Sequence, residues 1–216
     1  MVGEGEVKRI FAIGDIHGCL SHLERLMEEI RPLLDPQEDT LVFLGDYIDR
    51  GPDPKGVVDL ILQIKKEVRH VVCLKGNHED MFLDWVLNGR NYDLYLYNGG
   101  GSTIRSYSQD REFHLPAEHL DFFTSLRLYY ETDKYIFVHA GLKAGVPLKE
   151  QDPQEMIWIR EEFIYSNYDF GKLVVFGHTP LQRVLVAPNK IGIDTGAVYG
   201  GELTCLELPA QRFYSV

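Results

Sequence analysis

Cysteine is scarce in this chain, and its three copies lie far apart. Cys19, Cys73 and Cys205 each lie in or beside an apolar run, and no two of them have the C-x-x-C spacing. An odd number of scattered cysteines is not typical of a disulfide framework or of a cysteine-based zinc site. The pattern therefore favours reduced thiols that are packed in a core.

Long apolar runs are also missing. No run approaches the roughly 20 residues that a membrane-spanning helix requires. The N-terminal stretch of residues 1–6 is acidic and lacks the apolar core of a secretory signal. We therefore expect no membrane partner and a cytoplasmic location.

Positive charge is in deficit, because 22 lysines and arginines stand against 33 aspartates and glutamates, for a net charge of −11. Nonspecific nucleic-acid binding depends on a basic surface, so we expect no nucleic-acid partner. A small phosphorylated ligand is still allowed, since a local metal or arginine cluster can override the global sign.

The chain is long enough for one sizeable domain. Its 216 residues are 44% hydrophobic and 25% charged, which is ordinary for a globular protein with a real core. No low-complexity linker divides it. We therefore expect a single catalytic domain over residues 1–216, with a β-rich second half.

Three short apolar runs each end in a glycine followed by a polar residue. Gly14-Asp15, Gly45-Asp46 and Gly76-Asn77 lie 31 residues apart, and a helical pattern follows each of them. This is the length of a strand–turn–helix unit of a parallel sheet. Consecutive parallel strands would bring all three motifs to the same carboxyl edge, where open α/β sheets bind ligands.

Residues 88–116 interrupt this pattern. They are rich in Gly, Asn, Ser and Tyr, and we interpret them as a loop-and-helix insertion over the site. Within it, residues 98–101 (Asn-Gly-Gly-Gly) are typical of a flexible turn, and Tyr92, Tyr95 and Tyr97 of packing. Beyond it, the sequence predicts a hairpin over 128–138, a helix over 156–163, a strand over 173–176 and short strands from 184 onward.

Polar side chains at five strand ends could hold metal ions. They are Asp15, His17, Asp46, Asn77, His139 and His178. Oxygen and nitrogen donors of this kind suit manganese, iron or zinc better than calcium. One carboxylate can bridge two divalent ions, and Asp46, at the end of the middle strand, is the natural bridge. Asp15 and His17 would complete the coordination of one ion, and Asn77, His139 and His178 would complete that of the other.

Hydrolysis of a phosphate ester needs three further functions. A water between the two ions would lose a proton near neutral pH and attack phosphorus in line. His78 is the candidate acid for the leaving oxygen, and Asp49 would hold its imidazole in the donor form. Arg50 and Arg160 would bind the phosphate together with Asn77. For Arg160, a surface stacking pair with Trp158 is the competing interpretation.

The motifs together resemble a known family. They are Gly14-Asp15-x-His17-Gly18, Gly45-Asp46-x-x-Asp49-Arg50-Gly51, Gly76-Asn77-His78-Glu79, His139-Ala140-Gly141 and Gly177-His178. In this order they resemble the signature of the phosphoprotein phosphatase family of calcineurin-like metallophosphoesterases. The resemblance implies an α/β (α+β) fold, a four-layer αββα sandwich of two mixed β-sheets flanked by helices. It also implies a dinuclear metal site.

Two later segments resemble the bacterial members of this family in particular. Trp158-x-Arg160 is similar to the phosphate-binding arginine segment of bacterial and phage members. Residues 193–196 and 200–204 resemble the C-terminal hairpin of bacterial members and differ from the Ser-Ala-Pro-Asn-Tyr loop of eukaryotic ones. The resemblance therefore implies a bacterial-type serine/threonine protein phosphatase, for which no regulatory subunit is evident.

Three functions remain open at this point. The leading hypothesis is hydrolysis of phosphoserine and phosphothreonine on proteins. The alternative is symmetrical hydrolysis of diadenosine tetraphosphate, which the net charge of −11 and the short chain mildly disfavour. A non-catalytic scaffold with a relic metal site is the third, but such proteins usually lose the acid or a clamp. Here His78, Asp49 and Arg50 are all present.

Overall fold

A computed structural model describes residues 8–216 of the chain. The acidic stretch 1–6, for which we expect no signal sequence, lies outside the described residues. Within residues 8–216, no helix has both the length and the apolar character needed to cross a bilayer.

Twelve β-strands and eight α-helices occur in the described part of the chain. The strands are β1 (Ile10–Ile13), β2 (Thr40–Phe43), β3 (His70–Cys73), β4 (Ser108–Gln109), β5 (Glu112–Phe113), β6 (Tyr129–Glu131), β7 (Tyr135–Val138), β8 (Leu173–Phe176), β9 (Leu185–Val186), β10 (Lys190–Gly192), β11 (Thr204–Leu208) and β12 (Arg212–Ser215). The helices are α1 (Leu20–Ile30), α2 (Pro54–Glu67), α3 (Asn77–Asn88), α4 (Tyr92–Tyr95), α5 (Gly101–Ser106), α6 (Ala117–Thr124), α7 (Pro153–Trp158) and α8 (Glu161–Ile164).

Two five-stranded sheets form the centre of the fold, and both are mixed. The first has the order β12-β11-β1-β2-β3, and the second has the order β6-β7-β8-β10-β9. β1, β2 and β3 are parallel, with Ile10 opposite Thr40 and Thr40 opposite His70. The 31-residue spacing therefore predicts the parallel part of the first sheet correctly. β7, β8 and β10 supply the parallel part of the second sheet.

Successive side chains along each strand point to opposite faces of the sheet, and this divides the core into layers. Ala12 and Val42 point between the two sheets, where they pack with Phe137, Val175 and Ile191 of the second sheet. Phe11, Ile13, Leu41 and Phe43 point the other way, onto the apolar faces of α1 and α2. The outer face of the second sheet packs on α7 and α8 through Met156 and Phe163. These four layers confirm the αββα sandwich.

The sequence explains where the helices of the first sheet begin and which face they bury. In α1, Leu23, Leu26, Met27 and Ile30 recur at helical spacing, and all four are buried. α2 begins after Asp53, whose Oδ1 accepts a hydrogen bond from the backbone N–H of Gly56 at 2.9 Å. Both helices therefore begin directly after the strand-end loops that carry the candidate site residues.

Two segments differ from what the sequence predicts. The helix expected over residues 156–163 is two short helices, α7 and α8, because Arg160 has φ −128° and ψ −100°, which no helix accommodates. In residues 88–116, the expected loop-and-helix insertion consists of α4, a wide helical turn (Leu96–Gly100), α5 and the β4–β5 hairpin. The turn expected at residues 98–101 thus forms the junction between α4 and α5.

Candidate metal centre

The predicted metal ligands lie where strands of both sheets end, at one edge of the sandwich. Asp15 and His17 follow β1, Asp46 follows β2, Asn77 opens α3, His139 follows β7 and His178 follows β8. Their exposures range only from 0% to 4%. The sequence predicts the parallel direction of β1, β2 and β3, and the parallel pairing of β7 with β8 in the second sheet brings His139 and His178 to the same edge.

Asp46 is shared by two groups of side chains whose donor atoms lie within 4.8 Å of one another. The first group contains His17, Asp46 and His78, and the second contains Asp46, His139 and His178. A carboxylate common to two such groups is suited to bridge two metal ions. Neither group includes Asp15, and the first includes the expected acid His78 in its place.

Two of the histidines are oriented by backbone carbonyls. His17 Nδ1 lies 2.9 Å from the carbonyl oxygen of Ile48, and His139 Nδ1 lies 3.0 Å from that of Leu44. A carbonyl oxygen can only accept, so Nδ1 carries the proton and Nε2 keeps its lone pair for a metal ion. His139 Nε2 then faces Asn77 Oδ1, a second acceptor, at 3.1 Å. A cation between these two acceptors would remove their repulsion.

The electrostatics of the edge also suit cations. Burial raises the pKa of Asp15, and the charges of Asp194 and Asp46 raise it further. Burial likewise raises the pKa of Asp194 to about 6. In contrast, burial lowers the pKa of His17 to about 3, so its imidazole is neutral and able to bind a metal. A cation would stabilise such a cluster of buried carboxylates and neutral imidazoles.

Buried polar atoms without partners point to the same conclusion. Among the described residues, Asp15 Oδ1, His178 Nε2 and His78 Nε2 are buried and form no hydrogen bond. Buried polar atoms in folded proteins nearly always have a partner. The first two belong to predicted metal ligands, so the residues present fit a divalent metal centre. The third belongs to the predicted acid.

Asp49 and His78 form a tight buried pair that the insertion completes. His78 Nδ1 lies 2.6 Å from Asp49 Oδ2. The other carboxylate oxygen, Oδ1, accepts hydrogen bonds from Tyr95 Oη at 2.6 Å and from Thr103 Oγ1 at 2.5 Å. Burial and the charge of Asp49 raise the pKa of Tyr95 well above its usual value, so its hydroxyl stays a donor. Sequence reasoning assigned Tyr95 to packing and did not consider Thr103.

Glu79 is a second residue whose role the sequence did not reveal. Its fully buried carboxylate accepts hydrogen bonds from the backbone N–H groups of Asp46 at 2.9 Å, Tyr47 at 2.8 Å and Gly76 at 3.0 Å. It stands at the third position of α3, where a glutamate commonly reaches back to the start of its helix. Here it also holds the loop that carries Asp46.

The backbone at the strand ends has an unusual conformation. Of the nine non-glycine residues with positive φ angles in the described part of the chain, five lie here, namely His17 (47°), Asp46 (51°), Asp49 (71°), Arg50 (66°) and His178 (64°). Such angles are uncommon outside glycine and cluster at functional sites, where the surrounding structure enforces them. All five are residues that the sequence assigns to the site.

The two predicted phosphate-binding arginines differ in their surroundings. Arg50 Nη1 lies 2.7 Å from His17 Nε2, and its Cζ lies 5.6 Å from the centre of the Tyr199 ring. Arg160 is exposed between α7 and α8, and it forms no ion pair or hydrogen bond through its side chain with residues 8–216. The neighbouring Trp158 ring packs edge-on against His178 at 6.0 Å. Arg50 therefore contacts a metal-ligand candidate directly, and, besides burial, the charge of Arg160 is one of the causes that lower the pKa of His139 and of His178.

Comparison with known proteins agrees with this geometry. The model of the family described as calcineurin-like phosphoesterase matches residues 8–211. The chain belongs to the calcineurin-like phosphoesterase family, and the metallophosphoesterase class and hydrolase activity expected from the sequence are thereby confirmed.

Individual relatives differ in the substrate that their names give. Serine/threonine-protein phosphatase 1 of Salmonella typhimurium is 34% identical over 205 residues, which cover 91% of this chain and 90% of the relative. The asymmetrical bis(5'-nucleosyl)-tetraphosphatase of Oceanobacillus iheyensis is 26% identical over 231 residues, covering 96% and 92%. Our alternative expects symmetrical cleavage, whereas this relative is named asymmetrical.

A solved structure agrees at the level of the fold. A crystal structure provisionally named as that of a diadenosine tetraphosphatase superimposes with a TM-score of 0.76 at 24% identity, covering 98% of this chain and 94% of the other. At this identity the likeness supports the fold and not the substrate.

Proposed function

We propose that this chain is a metal-dependent phosphatase that hydrolyses phosphoserine and phosphothreonine on proteins, acting as one catalytic domain. The observation that carries the proposal is the position of the buried Asp49–His78 pair. His78 belongs to the same group of side chains as Asp46, and its Nε2 has no partner among the described residues. This position supports a role for His78 as the proton donor that hydrolysis of a phosphate ester requires.

The predicted ligands would hold two divalent ions. Asp15 and His17 would bind one ion, Asn77, His139 and His178 the other, and Asp46 would bridge them. When bound, the ions would lower the pKa of a water molecule and offset the negative charge of the phosphate. We propose manganese, with iron or zinc as further possibilities, because nitrogen and oxygen donors suit all three.

The chain's own residues would bind the phosphate and supply the proton. Arg50 and Arg160 would donate hydrogen bonds to phosphate oxygens, with the amide of Asn77 beside them. His78 would donate the proton from Nε2 to the leaving oxygen. Asp49 would accept the hydrogen bond from Nδ1 at 2.6 Å and so orient the imidazole with Nε2 toward the leaving oxygen.

A second candidate is hydrolysis of a dinucleoside tetraphosphate. The observation in its favour is the full-length similarity to tetraphosphatases of the asymmetrical type. We therefore carry this candidate forward with asymmetrical cleavage in place of symmetrical cleavage.

One assay compares both candidates on a single preparation. The protein is supplemented with manganese, with a chelator-treated sample as control, and is given phosphoserine, phosphothreonine and phosphotyrosine peptides and diadenosine tetraphosphate. Turnover is measured as phosphate released from the peptides and as nucleotides formed from the dinucleotide. We expect it to be chelator-sensitive and fastest with the phosphoserine and phosphothreonine peptides. Faster turnover of the dinucleotide would replace the leading candidate, and unequal nucleotide products would identify asymmetrical cleavage.

A further inference from the structure

Beside the metal centre, two arginines line one open cavity of about 460 Å³. Its walls are formed by Arg50 and Arg105 together with Gly51, Pro52, Ser102 and Ser106. Arg105 lies on α5 of the insertion and is exposed. Neither the motifs nor the proposed reaction gives Arg105 a role, so the cavity adds one new arginine to Arg50, which the proposed reaction already uses.

Neither of these arginines pairs with a carboxylate among residues 8–216. In the same part of the chain, other arginines do form such pairs, for example Arg9 with Asp39 at 2.6 Å and Arg90 with Asp84 at 2.6 Å. Asp53 lies close to the cavity, but its Oδ1 already accepts hydrogen bonds from Gly56 N and Ser106 Oγ. Two arginines thus line one cavity, and none of the residues that line it is acidic.

The glycine run of the insertion allows this arrangement. The backbone N–H of Arg50 donates to the carbonyl oxygen of Gly99 at 3.1 Å. A Cβ atom at Gly99 would lie 2.7 Å from Arg50 Cγ, and one at Gly101 would lie 3.3 Å from Arg105 Nη1. Both arginine side chains therefore lie against glycines that are two residues apart. Side chains at these positions would crowd the two arginines.

We propose that this cavity is a second anion subsite, which binds a second phosphoryl group of the substrate. The inference rests on the proposed function for the position of the first phosphate. Arg50 connects the two places, because its Nη1 lies 2.7 Å from His17 Nε2 and the same residue also lines the cavity. A guanidinium group, such as that of Arg105, can bind phosphate oxygens in a bidentate manner. The second group is the next phosphate of a nucleoside polyphosphate or a second phosphoserine of a peptide.

A binding experiment tests the subsite without catalysis. Tripolyphosphate is titrated calorimetrically into metal-stripped wild-type protein, the variant Arg105→Gln and the control Arg111→Gln, at low salt. Arg111 is an exposed arginine of the same insertion that does not line the cavity. We expect Arg105→Gln to weaken binding about tenfold, the loss of one charge-assisted contact, and Arg111→Gln to leave it unchanged. Equal weakening in both variants, or in neither, would overturn the subsite.

An activity experiment identifies the source of the second phosphate. The kcat/KM values for a doubly phosphorylated peptide and for diadenosine tetraphosphate are each divided by that for p-nitrophenyl phosphate. Arg105→Gln is expected to lower one of these ratios about tenfold. A lower ratio for the peptide would identify a second phosphoserine as the bound group, and a lower ratio for the dinucleotide would identify a polyphosphate. If both ratios stay at the wild-type value, the subsite is refuted. If the wild type hydrolyses no phosphoester, the proposed function fails, while the calorimetric result still decides on the subsite.

Discussion

The strand ends and the insertion contribute to one site in different ways. The strand ends present six buried candidate ligands from loops that follow regular strands. The insertion, residues 88–116, has short helices and a two-residue hairpin, and Tyr97 is 89% exposed. Yet Tyr95 and Thr103 from this segment contact Asp49 directly. If the proposed function holds, the two regions would divide the work: the sheets would hold the metal ions, and the insertion would position the acid.

The largest expected effect is the loss of the shared carboxylate at the strand ends. Asp46→Asn removes the charge common to both groups of ligands, so we expect metal affinity to fall by about 100-fold or more and activity with it. Metal content after dialysis, measured by elemental analysis, checks this. Asp133→Asn, an exposed carboxylate on the β6–β7 hairpin, is the matched control. Wild-type metal content in Asp46→Asn would contradict the bridging role.

The next largest effect distinguishes the proposed acid, His78, from the proposed metal ligands. His78→Asn removes the proton donor, so we expect kcat to fall by about 10² to 10⁴ while metal content stays unchanged. Single-turnover kinetics and elemental analysis on the same sample measure both quantities. His114→Asn replaces an exposed histidine and is the control. Because His78 lies in a group with His17 and Asp46, a loss of metal in His78→Asn would make it a ligand instead.

A smaller effect is expected from the insertion's contacts with Asp49. Tyr95→Phe removes one hydrogen bond to a buried carboxylate, and we expect kcat to fall about tenfold with little change in KM, because Tyr95 positions the acid. Thr103→Val should act similarly and Thr103→Ser should restore activity, while Tyr92→Phe serves as control. A change confined to KM would place Tyr95 in substrate binding and would remove the division of roles suggested above.

The smallest effect concerns the attachment of the insertion to α2. His119 is buried, with Nδ1 2.7 Å from Tyr107 Oη and Nε2 3.0 Å from Asp59 Oδ1. Burial lowers the pKa of His119, and Asp59 offsets this in part. The unfolded chain therefore takes up the proton first, and stability falls as pH drops below about 6.5.

Denaturant unfolding at pH 7.5 and pH 5.5 measures this contribution. Other groups titrate in the same range, so the wild type is compared with His119→Gln. The variant should lose less free energy of unfolding between the two pH values than the wild type. An identical loss in both proteins would show that His119 does not titrate in this manner.

The strand ends were predictable because their information is local. An apolar run followed by glycine and a polar residue specifies both a strand and the place where it ends, and the 31-residue spacing specifies parallel neighbours. The shared edge of Asp15, His17, Asp46 and Asn77 follows from these patterns, whereas the two-sheet sandwich was predicted from the family resemblance. The six assignments as metal ligands themselves stay predictions until metal is measured.

The contacts of the insertion were not predictable in this way. Tyr95 and Thr103 lie 46 and 54 residues from Asp49 in the sequence, within a segment that has neither a 2.0 nor a 3.6 periodicity. The break at Arg160 was missed for a related reason, since the apolar pattern of residues 156–163 continues through it. Long-range hydrogen bonds of single side chains leave no periodic signal in a sequence.

The positive φ angles of five site residues bear on how such a chain changes over generations. A non-glycine residue in this conformation carries a cost of roughly 1–3 kcal/mol, which glycine at the same position would largely relieve. Replacement of His17, Asp46 or His178 by glycine would therefore remove the site chemistry and relax the backbone at the same time. The function of these residues and the local stability of their backbone thus oppose each other.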